Sequence, residues 1–178
     1  MRIRVTSAIG RGQTLLSSFD DALYRCGVHN YNLLALSSVV PPGSCIEKDR
    51  CHRPATDEHG DRLYVVKAEA RSDQPGEAVA AGIGWYQWGD GRGLFVEHEV
   101  TETCSARAEE HVGQMIRLSL GDLCRVRGIP FCKRRVTMST IAGAVDDGPT
   151  TALVVAVFQS ERWQVLATPP GRVAGAGE

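Results

Sequence analysis

The stretch from Asn30 to Gly43, NYNLLALSSVVPPG, leaves this chain the fewest ways to fold. Leu33-Leu34-Ala35-Leu36 ends in two adjacent serines, the apolar pattern resumes at Val39-Val40, and Pro41-Pro42-Gly43 stops it. A short apolar run bounded by turn formers reads as one buried strand, from about Tyr31 to Val40. Serines at the end of such a strand are held by a rigid element and face a mouth where a ligand fits.

The surrounding sequence supplies the layers that this strand needs. Arg2 to Ala8 alternates like a half-buried strand, and Gly10-Arg11-Gly12 is expected to break it. Ser17-Ser-Phe-Asp20 fits a helix start, and Phe19, Ala22, Leu23 and Cys26 fall on one face before Gly27 caps the end. Gly43 to Asp61 is polar and reads as a surface loop. Arg62 to Arg71 alternates as a strand. Glu77 to Tyr86, rich in alanine and glycine, suits a strand packed closely against another layer, and Gly89 to Gly93 turns it into Leu94 to Val100 as a hairpin. A long helix runs from Ser105 to about Arg127, with Val112, Met115, Ile116, Ser119, Leu123 and Val126 as its inner stripe. Phe131 to Gly143 and Thr150 to Phe158 are two more strands. The class is therefore α+β, a layered αββα-type sandwich of mostly antiparallel sheet with two main helices. One domain covers residues 1–158, and residues 159–178 read as a disordered tail.

Charge and composition exclude several classes of function. Twenty basic and 21 acidic side chains leave a formal charge of −1, so no positive field favours nucleic acid. No apolar stretch reaches the ~20 residues needed to cross a bilayer, so no membrane partner is expected. The first residues lack a long apolar signal core, and a cytoplasmic location is expected. Six cysteines without a CxxC pair suit reduced thiols. Cys45, Cys51 and His52 lie close in sequence, but zinc prefers tighter, paired spacing, so no metal is expected.

Beyond the serine pair, SSFDDALYRCGVHNYNLLALSSVVPPG resembles, in order and spacing, the helix, turn and cleavage strand of the pyruvoyl-dependent arginine decarboxylases. GLFVEHEV resembles the strand that carries that family's catalytic carboxylate, and the long helix ending in VRGI sits where the family has one. The likeness spans most of residues 1 to about 158. It implies autocatalytic cleavage between Ser37 and Ser38, with Ser38 becoming a pyruvoyl group. It further implies decarboxylation of L-arginine, a small-molecule amino-acid substrate, to agmatine and carbon dioxide by a homotrimer or a dimer of trimers. The chemistry is coherent with the residues. An amino-acid decarboxylation needs an electron sink, and no lysine stands in a recognisable cofactor-anchoring motif. A carbonyl made from the backbone removes that need.

The resemblance also assigns roles. Glu97 matches the proton donor to the α-carbon, with Phe95 on the same face as part of an apolar wall; Glu99 shares that face and competes for the role. His98 points the other way. Asn32, an even number of residues before Ser38, would share its face in one continuous strand and would hold an oxyanion or the substrate carboxylate. Asp20 matches the residue that meets the guanidinium, with Asp21 beside it as a competitor. Each residue has a plainer reading: a satisfied strand end for Ser37 and Ser38, a turn asparagine for Asn32, a solvated strand face for Glu97 and Glu99, a helix-start acid for Asp20. The chain departs from the family at His29, where a small glycine is common, in the loop from Gly43 to Asp61, and at His98-Glu99-Val100. Three alternatives stay open: a pyruvoyl decarboxylase for another amino acid, a ligand-binding homologue that never cleaves, and a metal-binding regulator that uses Cys45, Cys51 and His52.

Overall fold

The computed structural model describes residues 1–53 and 58–163. In chain order its elements are β1 (Arg2–Arg11), α1 (Leu15–Cys26), β2 (Asn32–Ala35), β3 (Val39–Val40), β4 (Cys45–Lys48) and β5 (Arg62–Ser72). They continue with β6 (Ala78–Trp88), β7 (Arg92–Glu102), α2 (Ser105–Val126), β8 (Thr137–Ala144) and β9 (Thr150–Glu161). One sheet has the order β2-β5-β9-β1-β4 and the other β3-β7-β6-β8. Only the short edge strands β2 and β4 pair in parallel, with β5 and β1.

Three apolar layers hold the four tiers together. Ile3, Val5, Val66, Val154 and Ala156 of the first sheet meet Val79, Ile83, Trp85 and Phe95 of the second. Outside the first sheet, Ala22 and Cys26 of α1 pack on Leu63, Val65, Leu153 and Val155. Outside the second, Val112, Ile116, Leu120 and Cys124 of α2 pack on Ala80, Leu94 and Val96. Fully burying side chains of this size contributes ~1.5–3 kcal/mol each, so the layers dominate the fold's stability. The result is the αββα sandwich expected from the alternation of strands and helices. Glycine makes the close approach on β6 possible: a Cβ at Gly84 would stand 2.1 Å from Cγ2 of Ile116.

Several local expectations change. The stretch from Tyr31 to Val40 is two strands, β2 and β3, in different sheets. Gly10 does not break β1; a Cβ there would lie 2.1 Å from the Ser18 carbonyl oxygen, so the glycine lets α1 close onto the strand. That helix starts earlier than Ser17, because Thr14 is its cap and Ser17 is the reciprocal partner in the capping box. The buried stripe of α2 stops at Cys124, and Val126 is 78% exposed because the last turn overhangs the sheet. Lys133–Arg135 form a 3₁₀ turn, so β8 begins only at Thr137. The loop after Gly43 contributes β4 along β1. Finally, β9 continues through Glu161, taking residues 159–161 out of the expected tail. Arg162 and Trp163 follow it, and residues 164–178 of that tail lie outside the described residues.

Candidate active site

The chain passes from one sheet to the other at the serine pair. Leu36 donates its backbone N–H to Val65 in the first sheet at 2.9 Å, whereas Ser38 accepts from the N–H of Phe95 in the second at 2.8 Å. Val39 and Val40 then pair with Leu94 and Gly93. Two residues accomplish the crossing, and Ser38 takes a left-handed backbone with φ of 66° to do so. It is the one non-glycine residue with positive φ among the described residues. A side chain held there costs roughly 1–3 kcal/mol, and such strain collects where the surrounding structure over-determines a position.

The partner of Ser38 comes from β7. Phe95 is buried in the inter-sheet core, with its ring centroid 6.0 Å from that of Trp85 and 5.9 Å from that of Phe158. Two residues on, the same face carries Glu97, paired across the ladder with Ile83. The Ser38 hydroxyl donates a hydrogen bond to Oε1 of Glu97. Glu99 is exposed farther along the strand, so the strand's geometry separates the two competing carboxylates. His98 faces α2, as alternation requires. It is half-buried there rather than open to solvent, and its Nε2 lies 2.8 Å from Oγ of Ser119.

A cavity of about 270 Å³ opens at the crossing, lined by Leu36, Ser37, Val39, Tyr64 and Phe158 among others. Ser37 forms part of its wall. Tyr64 and Phe158 had no signal in the sequence beyond their places in strands; they reach the cavity because β5 and β9 are neighbours whose ends meet the crossing.

The remaining candidates stand elsewhere. With the strand broken, an even separation no longer puts Asn32 on the face of Ser38. Asn32 opens β2, and its Nδ2 donates to the Gly60 carbonyl at 2.6 Å. Asp20 is exposed on α1, which covers the outer face of the first sheet. Asp21 is engaged locally, accepting from the Arg11 N–H at 2.9 Å and from Nε of Arg25 at 2.8 Å. Burial pushes its carboxyl up, but the Arg25 hydrogen bond, the Arg11 N–H and the Arg25 charge together bring it below the ordinary value. Cys45, Cys51 and His52 do not gather: Cys45 is exposed on β4, and Cys51 donates to the His52 carbonyl. Among the described residues no group of three or more His, Cys, Asp or Glu side chains is placed to hold a metal ion. No helix there is long and apolar enough to cross a membrane.

Comparison with known proteins identifies the family. The profile of the pyruvoyl-dependent arginine decarboxylase family matches residues 2–162. Among proteins named pyruvoyl-dependent arginine decarboxylase, one from Halobacterium salinarum is 35% identical over 54% of this chain, and the match spans 59% of that relative's length. One from Thermococcus kodakarensis is 31% identical over 88% of this chain and 94% of its own length. Another from Pyrococcus abyssi is 31% identical over 85% of this chain and 90% of its own. This chain belongs to the pyruvoyl-dependent arginine decarboxylase family.

Proposed function

We propose that the chain cuts itself between Ser37 and Ser38 and then decarboxylates L-arginine to agmatine and carbon dioxide. The contact between the Ser38 hydroxyl and Glu97, made by a serine held in a left-handed backbone, carries this reading. In the first step Oγ of Ser38 attacks the Ser37 carbonyl carbon. A C–O bond forms, the peptide C–N bond breaks, and the freed Ser38 nitrogen takes up a proton. Glu97 is placed to receive the hydroxyl proton as Oγ attacks. Loss of the Ser38 α-proton then breaks the Cβ–Oγ bond, which releases Ser37 as a C-terminal carboxylate and leaves dehydroalanine at 38. Water replaces the nitrogen of that residue, ammonia departs, and residue 38 ends as a pyruvoyl group.

The residues present fit such a group, because the precursor hydroxyl already meets a carboxylate beside a cavity of about 270 Å³. The pyruvoyl carbonyl supplies the electron sink for the carbanion left when carbon dioxide departs. Glu97, freed from the consumed hydroxyl, holds the proton that returns to the α-carbon. Leu36, Tyr64 and Phe158 exclude water along the substrate's methylene stem. Phe95 keeps the wall behind Glu97 rigid. Asp20 binds the guanidinium by charge-assisted hydrogen bonds, and Asn32 orients the substrate carboxylate. Both are exposed and neither is among the residues lining the cavity in this copy. They act from a neighbouring copy in a trimer, or in a dimer of trimers. The six cysteines are free thiols, which suits the cytoplasm.

Intact mass spectrometry tests the first half: two fragments, one ending at Ser37 and one beginning with a pyruvoyl residue at 38, are expected. A panel of amino acids assayed for carbon dioxide release tests the second. A single uncleaved chain after prolonged incubation would refute self-processing. Release only from a substrate without a guanidinium would refute the arginine assignment alone.

A further inference from the structure

Past the C-terminal end of α1, on the outer face of the first sheet, lies a separate cavity of about 210 Å³. Arg2, Arg4, His52, Gln159 and Ser160 line it, and neither Ser38 nor Glu97 does. Alternation along β1 explains the arginines: Ile3 and Val5 enter the inter-sheet core, so Arg2 and Arg4 emerge on the opposite face. His52 is fixed by its own backbone, which donates to the Cys26 carbonyl at 2.8 Å, and by edge-on contact with the Tyr31 ring at 5.8 Å. Both of its ring nitrogens are buried, and neither has a hydrogen-bond partner among the described residues. A buried donor left in this state asks for a partner that the described residues do not supply.

The surrounding charge indicates what that partner is. Three carboxylates stand near, and each is occupied. Glu47 sits 3.6 Å from Arg2, Glu58 accepts from the Tyr31 hydroxyl, and Asp49 accepts the Arg50 N–H at 2.7 Å. The guanidinium of Arg4 has neither an ion pair nor a hydrogen bond among the described residues. Burial lowers the pKa of His52; Glu58 opposes this, Arg4 adds to it and Asp49 opposes it, and the net result lies below the ordinary imidazole value. The ring is thus neutral near pH 7, with one N–H to give.

We propose that this cavity binds a small oxyanion, a carboxylate or a phosphate. The guanidinium fork of Arg4 is the principal contact, the His52 N–H a second donor, and Arg2 an outer charge shared with Glu47. The volume is below the several hundred Å³ typical of drug-sized ligands, which suits an anion with few heavy atoms. Phe158 and Gln159 line both this cavity and the cleft at Ser37, so the anion sits directly behind the cleft wall. The proposal stands whether or not the chain decarboxylates arginine.

The test is a titration of the full chain with inorganic phosphate, and separately with acetate, at ionic strength held constant with sodium chloride. The imidazole resonance of His52 is followed by NMR, with the exposed His111 as control. A saturable shift at His52 that His111 does not share is expected, and Arg4→Gln should raise the half-saturating concentration about tenfold or more, the loss of one charge-assisted contact. Saturation by phosphate alone or by acetate alone identifies which oxyanion fits, and either supports the site. Equal, unsaturating shifts at both histidines, or an unchanged response in Arg4→Gln, overturn it. Should Arg4→Gln fail to fold, the comparison of His52 with His111 in the unaltered chain decides the matter by itself.

Discussion

Ser38 and Glu97 are 59 positions apart in the chain and touch, whereas Asp20 and Asn32 are far nearer to Ser38 in sequence and stand away from it. The crossing between sheets accounts for the difference. Everything before Ser37 belongs to the first sheet and to the helix on its outer face; Ser38 and the strand after it belong to the second. Glu97 sits on the inner face of that second sheet, whose ladder fixes its distance from Ser38. One region is thus a contact that a single copy completes, and the other is a set of exposed side chains that a single copy does not bring to the cleft. If the proposed function holds, the first governs cleavage and proton transfer, and the second governs substrate recognition between copies.

The sharpest way to break this comparison is at the crossing itself. Ser38→Ala should leave one uncleaved chain on a denaturing gel and reduce decarboxylation to background. Ser38→Gly should lose both activities equally, but its backbone adopts the left-handed conformation without a Cβ clash. Against alanine it should gain about 1 kcal/mol, or ~2–4 °C in melting temperature for a domain of this size. If the glycine variant melts at or below the alanine variant, the strain at residue 38 is not real.

Next in size is Glu97→Gln, which keeps the shape and removes the proton carrier. Decarboxylation should fall by ~10²- to 10⁴-fold and self-cleavage should slow, while Glu99→Gln should change neither appreciably. Equal losses in both variants would mean that the contact with Ser38 does not select Glu97. In the outer region, Asp20→Asn should raise KM for arginine by about 10- to 150-fold, the equivalent of ~1.5–3 kcal/mol in a charge-assisted bond, and leave cleavage complete. Co-refolding Asp20→Asn chains with Ser38→Ala chains should restore part of the activity. In such mixtures some sites combine an intact Ser38 from one copy with an intact Asp20 from another. No restoration would argue that each copy builds its own site.

The same division explains what the sequence reveals. Layers and the succession of strands and helices follow from short-range patterns: the alternation in β1 and β5, the glycines of β6 that admit Ile116, and the buried stripe of α2 up to Cys124. Glu97 was singled out by the likeness of GLFVEHEV to the family's strand; parity gave only its face, that of Phe95, which Glu99 shares. The face of Asn32 relative to Ser38 was not legible, because parity holds only within one strand and Tyr31 to Val40 is two. Nothing in a run of apolar residues and serines announces a positive φ at a residue other than glycine. Cavity walls such as Tyr64 and Phe158 depend on which strands become neighbours, and composition does not carry that information. The start of α1 was misplaced by three residues because Ser17 satisfies either end of a capping box, and only the backbone of Thr14 distinguishes them.

The smallest effect separates Asp20 from Asp21 by what each loses. Asp21 accepts from the Arg11 N–H and pairs with Arg25 in an i,i+4 arrangement, and its carboxyl lies below the ordinary value. A carboxylate with a depressed folded-state pKa contributes stability that is present above the unfolded value of ~3.9 and is lost as pH falls through the folded one. The guanidinium is largely exposed, so solvent screens the pair and the contribution is ~0.5–1 kcal/mol including the Arg11 bond. Asp21→Asn should therefore melt about 1–4 °C lower than the unaltered chain at pH 7, and the gap should close as pH falls through the depressed folded-state value. Asp20→Asn, whose carboxylate has no hydrogen bond or ion pair among the described residues, should melt like the unaltered chain at both pH values. A stability loss at Asp20 with no change in KM would reverse the two assignments and leave Asp21 as the residue to test against the guanidinium.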